Sequence, residues 1–240
     1  MPMPAASLEV SGLSAGYGPT RVIEEVTFSV PAGARLAVLG RNGMGKTTLL
    51  ATIAGQTRLH GGDVRLGTVK IGKLESSARA HIGLGYVPQA RCVFPSLTVE
   101  ENLFVGLKGR ERSAIDEAYQ MFPRLKERRR NMGNQLSGGE QQMLSTARTI
   151  LGRPTVLLLD EPLEGLAPVI CEELMAAFAR LASTGEMTIV LVEQRIESAL
   201  AFADRVIILE RGRVVWSGTP AELTSQPETI ERLLGVGALH

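Results

Sequence analysis

Hydrophobic positions along this chain follow two rhythms. Short unbroken apolar runs end at glycine or proline, and between them apolar residues return every three or four positions. The first rhythm marks strands buried on both faces of a sheet, and the second marks helices with one buried face. The runs predict strands over Arg35–Leu39, Ile82–Val87, Val156–Leu159 and Thr188–Val192. Leu8–Val10 and Val26–Val30 read as further strands, with Gly16–Pro19 between them as a loop and the glycine-broken stretch Gly62–Lys73 as short β pieces. Arg205–Leu209 and Val214–Ser217 form a hairpin turned by Arg211-Gly212. Helical spacing predicts Lys46–Ala54, closed by Gly55, and Glu140–Leu151. It also covers most of Leu97–Arg130, broken at Pro123, then Pro168–Leu181 and Ala221–Leu234. Strands and helices alternating in this way predict one α/β domain with a β-rich N-terminal edge. The stretch from Pro88 to Asn134 reads as an inserted helical subdomain. With the helix that follows, the insertion spans about 88–151, and the core about 8–87 and 152–240.

At 240 residues the chain can bury a sizeable core without covalent staples. Hydrophobic residues at 44% and charged residues at 21% fit a globular protein, not a disordered one. A net charge of +1 and an aromatic content of 4% supply neither the cationic surplus nor the stacking rings that nucleic acid binding needs. No nucleic acid partner is therefore expected, and Arg128-Arg129-Arg130 reads as a solvated helical face. Cys92 and Cys171 lack metal-like spacing and read as free thiols, while His60, His81 and His240 are too scattered for a zinc site. Trp216, in the hairpin, reads as packing. No apolar run reaches membrane-spanning length, and Met1-Pro2-Met3-Pro4 lacks a signal-peptide pattern, so any role at a membrane is expected to be peripheral.

Three motifs carry chemistry. Gly40-Arg41-Asn42-Gly43-Met44-Gly45-Lys46-Thr47-Thr48 leaves a strand and opens a helix, which is the context a phosphate loop requires. Gly43 and Gly45 let the backbone approach oxygens that a side chain would block. Lys46 supplies a point charge to β- and γ-phosphates, and the Thr47 hydroxyl suits Mg²⁺. An ordinary tight turn would not need Lys and Thr in that register. Asp160-Glu161 ends the apolar run Val156–Leu159. Two adjacent carboxylates there are costly unless a cation is present. Asp160 would hold Mg²⁺, directly or through water, and Glu161 would orient or deprotonate a water molecule. A loop or helix cap is the competing role, and the buried run before the pair and Pro162 after it weigh against that. The third motif, Ser137-Gly138-Gly139-Glu140, lies at the start of a helix, where free N–H groups, a hydroxyl and the positive dipole end attract an anion. The chain thus carries two phosphate-binding elements, although an ATP has one triphosphate.

That layout, in that order, resembles the nucleotide-binding subunit of ABC transporters, and the resemblance runs from Leu8 to about Leu234. It implies a P-loop NTPase core of RecA-like type with an N-terminal antiparallel β edge and an inserted α-helical subdomain that ends in the signature motif. It further implies that Ser137, Gly138, Gly139 and Glu140 close over an ATP held by a second subunit. Gln89, in Tyr86-Val87-Pro88-Gln89, is by itself an ordinary loop glutamine. Within the family pattern it matches the Q-loop residue that touches Mg²⁺ and links core to helical subdomain. Tyr17, in Gly16-Tyr17-Gly18, matches the ring that stacks on adenine, with a core tyrosine as the alternative. Phe122–Arg128, Gly139–Leu144, Glu161–Pro168 and Leu191–Gln194 together look like the LivF-type subunit of branched-chain amino-acid importers, and urea and short-chain-amide importers have a very similar subunit. Two positions depart from the general family pattern. Glu164-Gly165-Leu166-Ala167 replaces a D-loop ending in aspartate, and Gln194 stands at the switch histidine. A glutamine can bond the γ-phosphate but cannot carry a proton charge at neutral pH.

The resemblance implies a transport ATPase with ATP and Mg²⁺, in which Glu161, Gln194 and Gln89 serve catalysis. Its partners would be a second ATP-binding subunit, different or identical, two permease subunits and, indirectly, an external solute-binding protein. The protein would sit peripherally on the cytoplasmic face of the inner membrane. A regulatory ATP-binding role, with turnover at the partner's site, stays open because of Gln194. Non-transport members fit less well: translation-type members carry two cores, and repair and chromosome members place a long coiled coil between the two halves of the site.

Overall fold

The computed structural model describes residues 4–235; Met1–Met3 of the N-terminal segment discussed above and His240 lie outside the described residues. Two sheets form the frame. Strands β1 (Leu8–Tyr17) and β2 (Thr20–Val30) are followed in the chain by β3 (Arg35–Leu39), β4 (Arg58–Leu66), β5 (Val69–Lys70) and β6 (Leu84–Val87). Then come β7 (Val156–Asp160), β8 (Thr188–Val192), β9 (Arg205–Glu210) and β10 (Arg213–Gly218). A four-stranded sheet has the order β2-β1-β4-β5, all antiparallel. A six-stranded sheet has the order β10-β9-β3-β8-β7-β6, parallel except for the β9–β10 hairpin. This is the α/β class with a β-rich N-terminal edge that the pattern predicts, and the edge is antiparallel, as the resemblance implies.

The unbroken apolar runs have a physical cause. Successive strand residues face opposite sides of a sheet. Val156 and Leu158 of β7 join one core cluster, together with residues of the antiparallel sheet and of α1 (Lys46–Ile53); Leu157 and Leu159 join another. That second cluster holds α3 (Val99–Gly106), α4 (Ile115–Met121), α5 (Pro123–Glu127), α6 (Gly138–Leu151) and α7 (Pro168–Ser183). β8 splits the same way, and both strands must be apolar throughout because both faces are covered. A third cluster packs Ala37 and Leu39 of β3 against α8 (Ile196–Phe202) and α10 (Pro227–Leu234), with Trp216 at its edge.

Several elements differ from the sequence reading. β1 continues through Tyr17, because Gly16 pairs with Arg21 and Tyr17 with Thr20, so the expected Gly16–Pro19 loop shrinks to a turn at Gly18-Pro19. Ile82 belongs to the turn before β6. The expected Leu97–Arg130 helix is three short α-helices, interrupted where Lys108 and Gly109 adopt positive φ and where Pro123 starts α5. α3 starts on a capping box, with Thr98 and Glu101 bonding each other's backbone N–H. Helices α2 (Ser76–His81) and α8 escape the periodic reading because each spans less than two full turns. α9 (Pro220–Thr224) and α10 divide the expected C-terminal helical region. The Arg211-Gly212 turn is as expected, both residues having positive φ, as a tight hairpin requires. Arg128, Arg129 and Arg130 are exposed, and both cysteines are free thiols. Among the described residues no helix is long and apolar enough to cross a membrane.

Candidate active site

Strands β3, β8, β7 and β6 lie side by side, and their carboxyl ends are level: Val38 pairs with Val192, Asp160 with Val192, and Val87 with Leu159. The segments leaving those ends are the glycine loop, Gln194, Glu161 and Gln89. Parallel pairing therefore gathers residues up to 154 positions apart, from Gly40 to Gln194, at one edge, where α/β sheets place their ligands. A cleft of about 300 Å³ opens there, lined by Asn42, Lys46, Thr47, Gln89, Glu161 and Gln194 among others.

The glycine loop is shaped by its backbone. A Cβ at Gly40 would come within 2.4 Å of the Leu209 carbonyl, so β9 lies too close for any side chain. Gly45 caps α1 at φ 101°, a conformation that L side chains rarely adopt, and no side chain caps that helix end. Lys46 is buried, and its Nζ donates to the carbonyls of Gly40 at 2.9 Å and Arg41 at 3.2 Å. The same ammonium pairs with Glu161 Oε1 at 3.2 Å, and both side chains are under a tenth exposed. Thr48, on the same loop, is buried, while Met44 accepts Arg211 N–H on its sulfur at 3.3 Å.

The carboxylates part company through the strand's pleat. Asp160 continues the face of Val156 and Leu158, toward α1, and its Oδ1 accepts the Thr47 hydroxyl at 3.1 Å. Its Oδ2 accepts the Tyr86 hydroxyl at 3.1 Å. Burial pushes Asp160 up to about 6 despite these two bonds, and the neighbouring Glu161 adds to the rise. Burial, reinforced by Asp160, likewise raises the Tyr86 phenol. Glu161 lies just past the strand with φ 46°, a strained value for a non-glycine residue. Its Oε2 accepts Gln194 Nε2 at 2.6 Å and Gln89 Nε2 at 3.4 Å. Gln89 also donates to Glu164, so its hydrogen-bond partners are Glu161 and Glu164, not Thr47 or Asp160.

The signature segment stands apart. Ser137 is the N-cap of α6, which begins at Gly138, two residues before the predicted start. Its hydroxyl accepts Glu140 N–H at 3.3 Å, and Glu140 Oε2 accepts Ser137 N–H at 2.8 Å. This capping box uses the hydroxyl as an acceptor and leaves its proton, together with the N–H groups of Gly138 and Gly139, for another partner. Ser137–Glu140 do not line the cleft; Gly138 packs against Arg91 and Gly139 against Ile170. Tyr17 is 54% exposed, which removes the core-tyrosine alternative.

Two residues with no role assigned from sequence belong to this region. Tyr86 bonds Asp160 as described. Glu193 is buried, accepts Leu163 N–H on Oε1 at 3.1 Å and Gln194 N–H on Oε2 at 3.1 Å, and is pushed up to about 7, chiefly by burial. A carboxylate directly following an apolar run, as at Asp160, was the available signal for Glu193.

The ABC transporter family model matches residues 23–164. The high-affinity branched-chain amino acid transport ATP-binding protein BraG of Pseudomonas aeruginosa is 38% identical over 232 residues, covering 95% of this chain and 99% of its own. The probable branched-chain amino acid transport ATP-binding protein LivF of Archaeoglobus fulgidus is 36% identical, covering 93% of this chain and 97% of its own. A solved ATP-binding subunit of an ABC transporter superposes with a TM-score of 0.80 at 27% identity, covering 91% of this chain and 92% of that one. With its glycine loop, paired carboxylates and signature helix set on this sheet, the chain belongs to the ABC transporter family, as one of its ATP-binding, ATP-hydrolysing subunits.

Proposed function

We propose that this chain powers import of branched-chain amino acids as one of two ATP-binding subunits docked on a pair of permease subunits at the cytoplasmic face of the membrane. The observation that carries the ATPase reading is the Lys46–Glu161–Gln194 cluster beside Thr47 and Asp160. The solute rests on the end-to-end likeness to the two branched-chain amino acid relatives. The solute contacts themselves would belong to the permeases and an external binding protein.

The triphosphate would lie along the glycine loop, with Tyr17 positioned to stack on the base. Lys46 would exchange its Glu161 partner for phosphate oxygens, and Gln194 would turn its amide to the γ-phosphate. Both exchanges release the Glu161 carboxylate to accept a proton from water. Thr47 Oγ1 and Asp160 Oδ1, 3.1 Å apart, are hard oxygen donors that suit Mg²⁺, which takes one or two protein oxygens and fills its shell with phosphate and water. No larger cluster of His, Cys, Asp or Glu able to hold a metal occurs among the described residues. When bound, Mg²⁺ would neutralise phosphate charge and offset the cost of ionising Asp160. Gln89, on Glu161 and Glu164, would relay this exchange toward the helical insertion.

The signature segment does not line the chain's own cleft, and its first-turn N–H groups have no partner within the helix, which supports head-to-tail pairing with a second subunit. A groove of about 400 Å³ between core and helical segment, lined by Tyr86, Pro88, Cys92, Phe94, Val105 and Arg148, is suited to a permease helix. Phe94 and Val105 are exposed there. Glu161→Gln tests the ATPase reading. Nucleotide affinity should persist while turnover in the assembled transporter falls at least about a hundredfold, the lower end of the range for a lost general base. Retained turnover would remove Glu161 as base and favour a regulatory subunit.

A further inference from the structure

Glu193 takes no part in the chemistry above, yet it is 2% exposed and has no cation within ion-pair distance among the described residues. An ionised carboxylate in such a place is costly unless its oxygens are fully used. They are used on backbone. Oε1 takes Leu163 N–H, two residues beyond Glu161, and Oε2 takes Gln194 N–H. Glu161 N–H donates to the Val192 carbonyl at 2.9 Å, and the Gln194 side chain donates to Glu161 Oε2 at 2.6 Å. The result is a closed ring: Glu161 to Leu163 through the chain, Leu163 to Glu193 Oε1, Glu193 to Val192 through the chain, and the Val192 carbonyl back to Glu161 N–H; it stays closed when the Gln194 side chain leaves Glu161 for the γ-phosphate. The ring holds Glu161 at φ 46°, a conformation that persists only where its surroundings impose it.

We propose that Glu193 is a positioning residue for ATP hydrolysis: its two oxygens lock the turn carrying Glu161 to the strand end carrying Gln194, and only the ionised carboxylate can do so. The inference rests on the ATPase reading above. Both of these partners are N–H donors, one to each oxygen, and the Arg195 backbone N–H also favours the ionised form. A carboxylate satisfies both at once. A protonated acid or an amide presents a hydrogen to one of them and opens the ring there. Leu163 also lies in the turn Glu161–Gly165, whose Glu164 bonds Gln89, so the same carboxylate stiffens the segment between the cleft and the helical insertion.

Burial, aided by the charge on Glu161, moves this titration from the ordinary 4.5 to about 7. The other charged groups around it are Lys46, paired with Glu161, and Arg41, Glu210 and Arg211, which line a shared cavity of about 630 Å³ with Glu193; Arg195 follows Gln194 in the chain. Gln194 itself cannot titrate, and Asp160, pushed up to about 6, titrates lower, so the part of a neutral step in activity that Glu193→Gln removes belongs to Glu193. Stability and turnover then move in opposite directions. The folded chain holds a proton that the unfolded chain releases between pH 4.5 and about 7, so stability falls with rising pH over that window. Turnover rises over the upper part of the same window as the ring closes.

The test measures turnover of the assembled transporter and thermal unfolding of the purified chain, both against pH, for wild type, Glu193→Gln and Glu161→Gln. Wild type should lose turnover on acidification through about pH 7 while its melting temperature rises. Glu193→Gln should lower kcat about ten- to hundredfold, the worth of one charge-assisted bond, with KM for ATP nearly unchanged and the neutral step gone. A Glu193→Gln variant that keeps the wild-type step and kcat overturns the proposal. So does a loss of ATP affinity in proportion to kcat. If that variant does not fold, Glu193→Asp replaces it: its shorter carboxylate cannot reach both N–H groups, and wild-type kcat in that variant overturns the proposal instead. Failure of the ATPase reading shows separately, as wild-type turnover in Glu161→Gln.

Discussion

Lys46→Met should destabilise the chain before any nucleotide is added, and the size of the effect follows from what Lys46 touches. Its ammonium is 3% exposed and holds the Gly40 and Arg41 carbonyls and the 6%-exposed Glu161 carboxylate. Removing it leaves Glu161 buried without a cation, beside Asp160 and near Glu193. Breaking one side of a buried ion pair costs about 3–5 kcal/mol. For a chain of this size that corresponds to a fall in melting temperature of roughly 6–20 °C. Lys46→Met/Glu161→Gln removes the stranded charge and should recover most of the loss, ending within about 1–2 kcal/mol of wild type, since a neutral buried replacement is tolerated far better than a broken pair. The assay is thermal unfolding of the four members of the double-mutant cycle in buffer without nucleotide or divalent cation. A single variant within about 1 kcal/mol of wild type, or a double variant as unstable as the single, would refute the buried pair and the partner exchange built on it.

Two further outcomes follow from the geometry. Arg79 is buried and donates to the carbonyls of Thr52, Ile53, Gly72 and Leu74 at 2.8–3.0 Å, fastening the C-terminal end of α1. Arg79→Met should therefore cost about 2–4 kcal/mol, and Arg79→Lys should recover less than half, because one ammonium cannot span that fork; urea unfolding measures both. Ser137→Arg should leave photo-labelling of this chain by an azido-ATP unchanged while lowering turnover at the partner's site, and a strong loss of labelling in the isolated chain would contradict the shared site.

The sequence by itself determined the buried parallel strands of the larger sheet and the chemistry at their ends. Val156–Asp160 and Thr188–Val192 could be read because strands covered on both faces leave no polar position to confuse the pattern. The glycine loop, Asp160-Glu161 and the Ser137–Glu140 segment could be read because phosphate and metal chemistry demands those residue types in contiguous runs. Short elements such as α2 and α8 left no periodic trace, and the strand pairing of Gly16 and Tyr17 depends on Thr20 and Arg21 across a turn. Only the tertiary structure decided who meets whom. Thr47 reaches Asp160 across 113 positions, Gln194 reaches Glu161 across 33, and Glu193 reaches Leu163 across 30. Those contacts arise from the register of parallel strands, which no local pattern encodes. The tertiary structure also made Glu193 informative: a glutamate after an apolar run is unremarkable until burial removes its water and leaves backbone N–H groups as its partners.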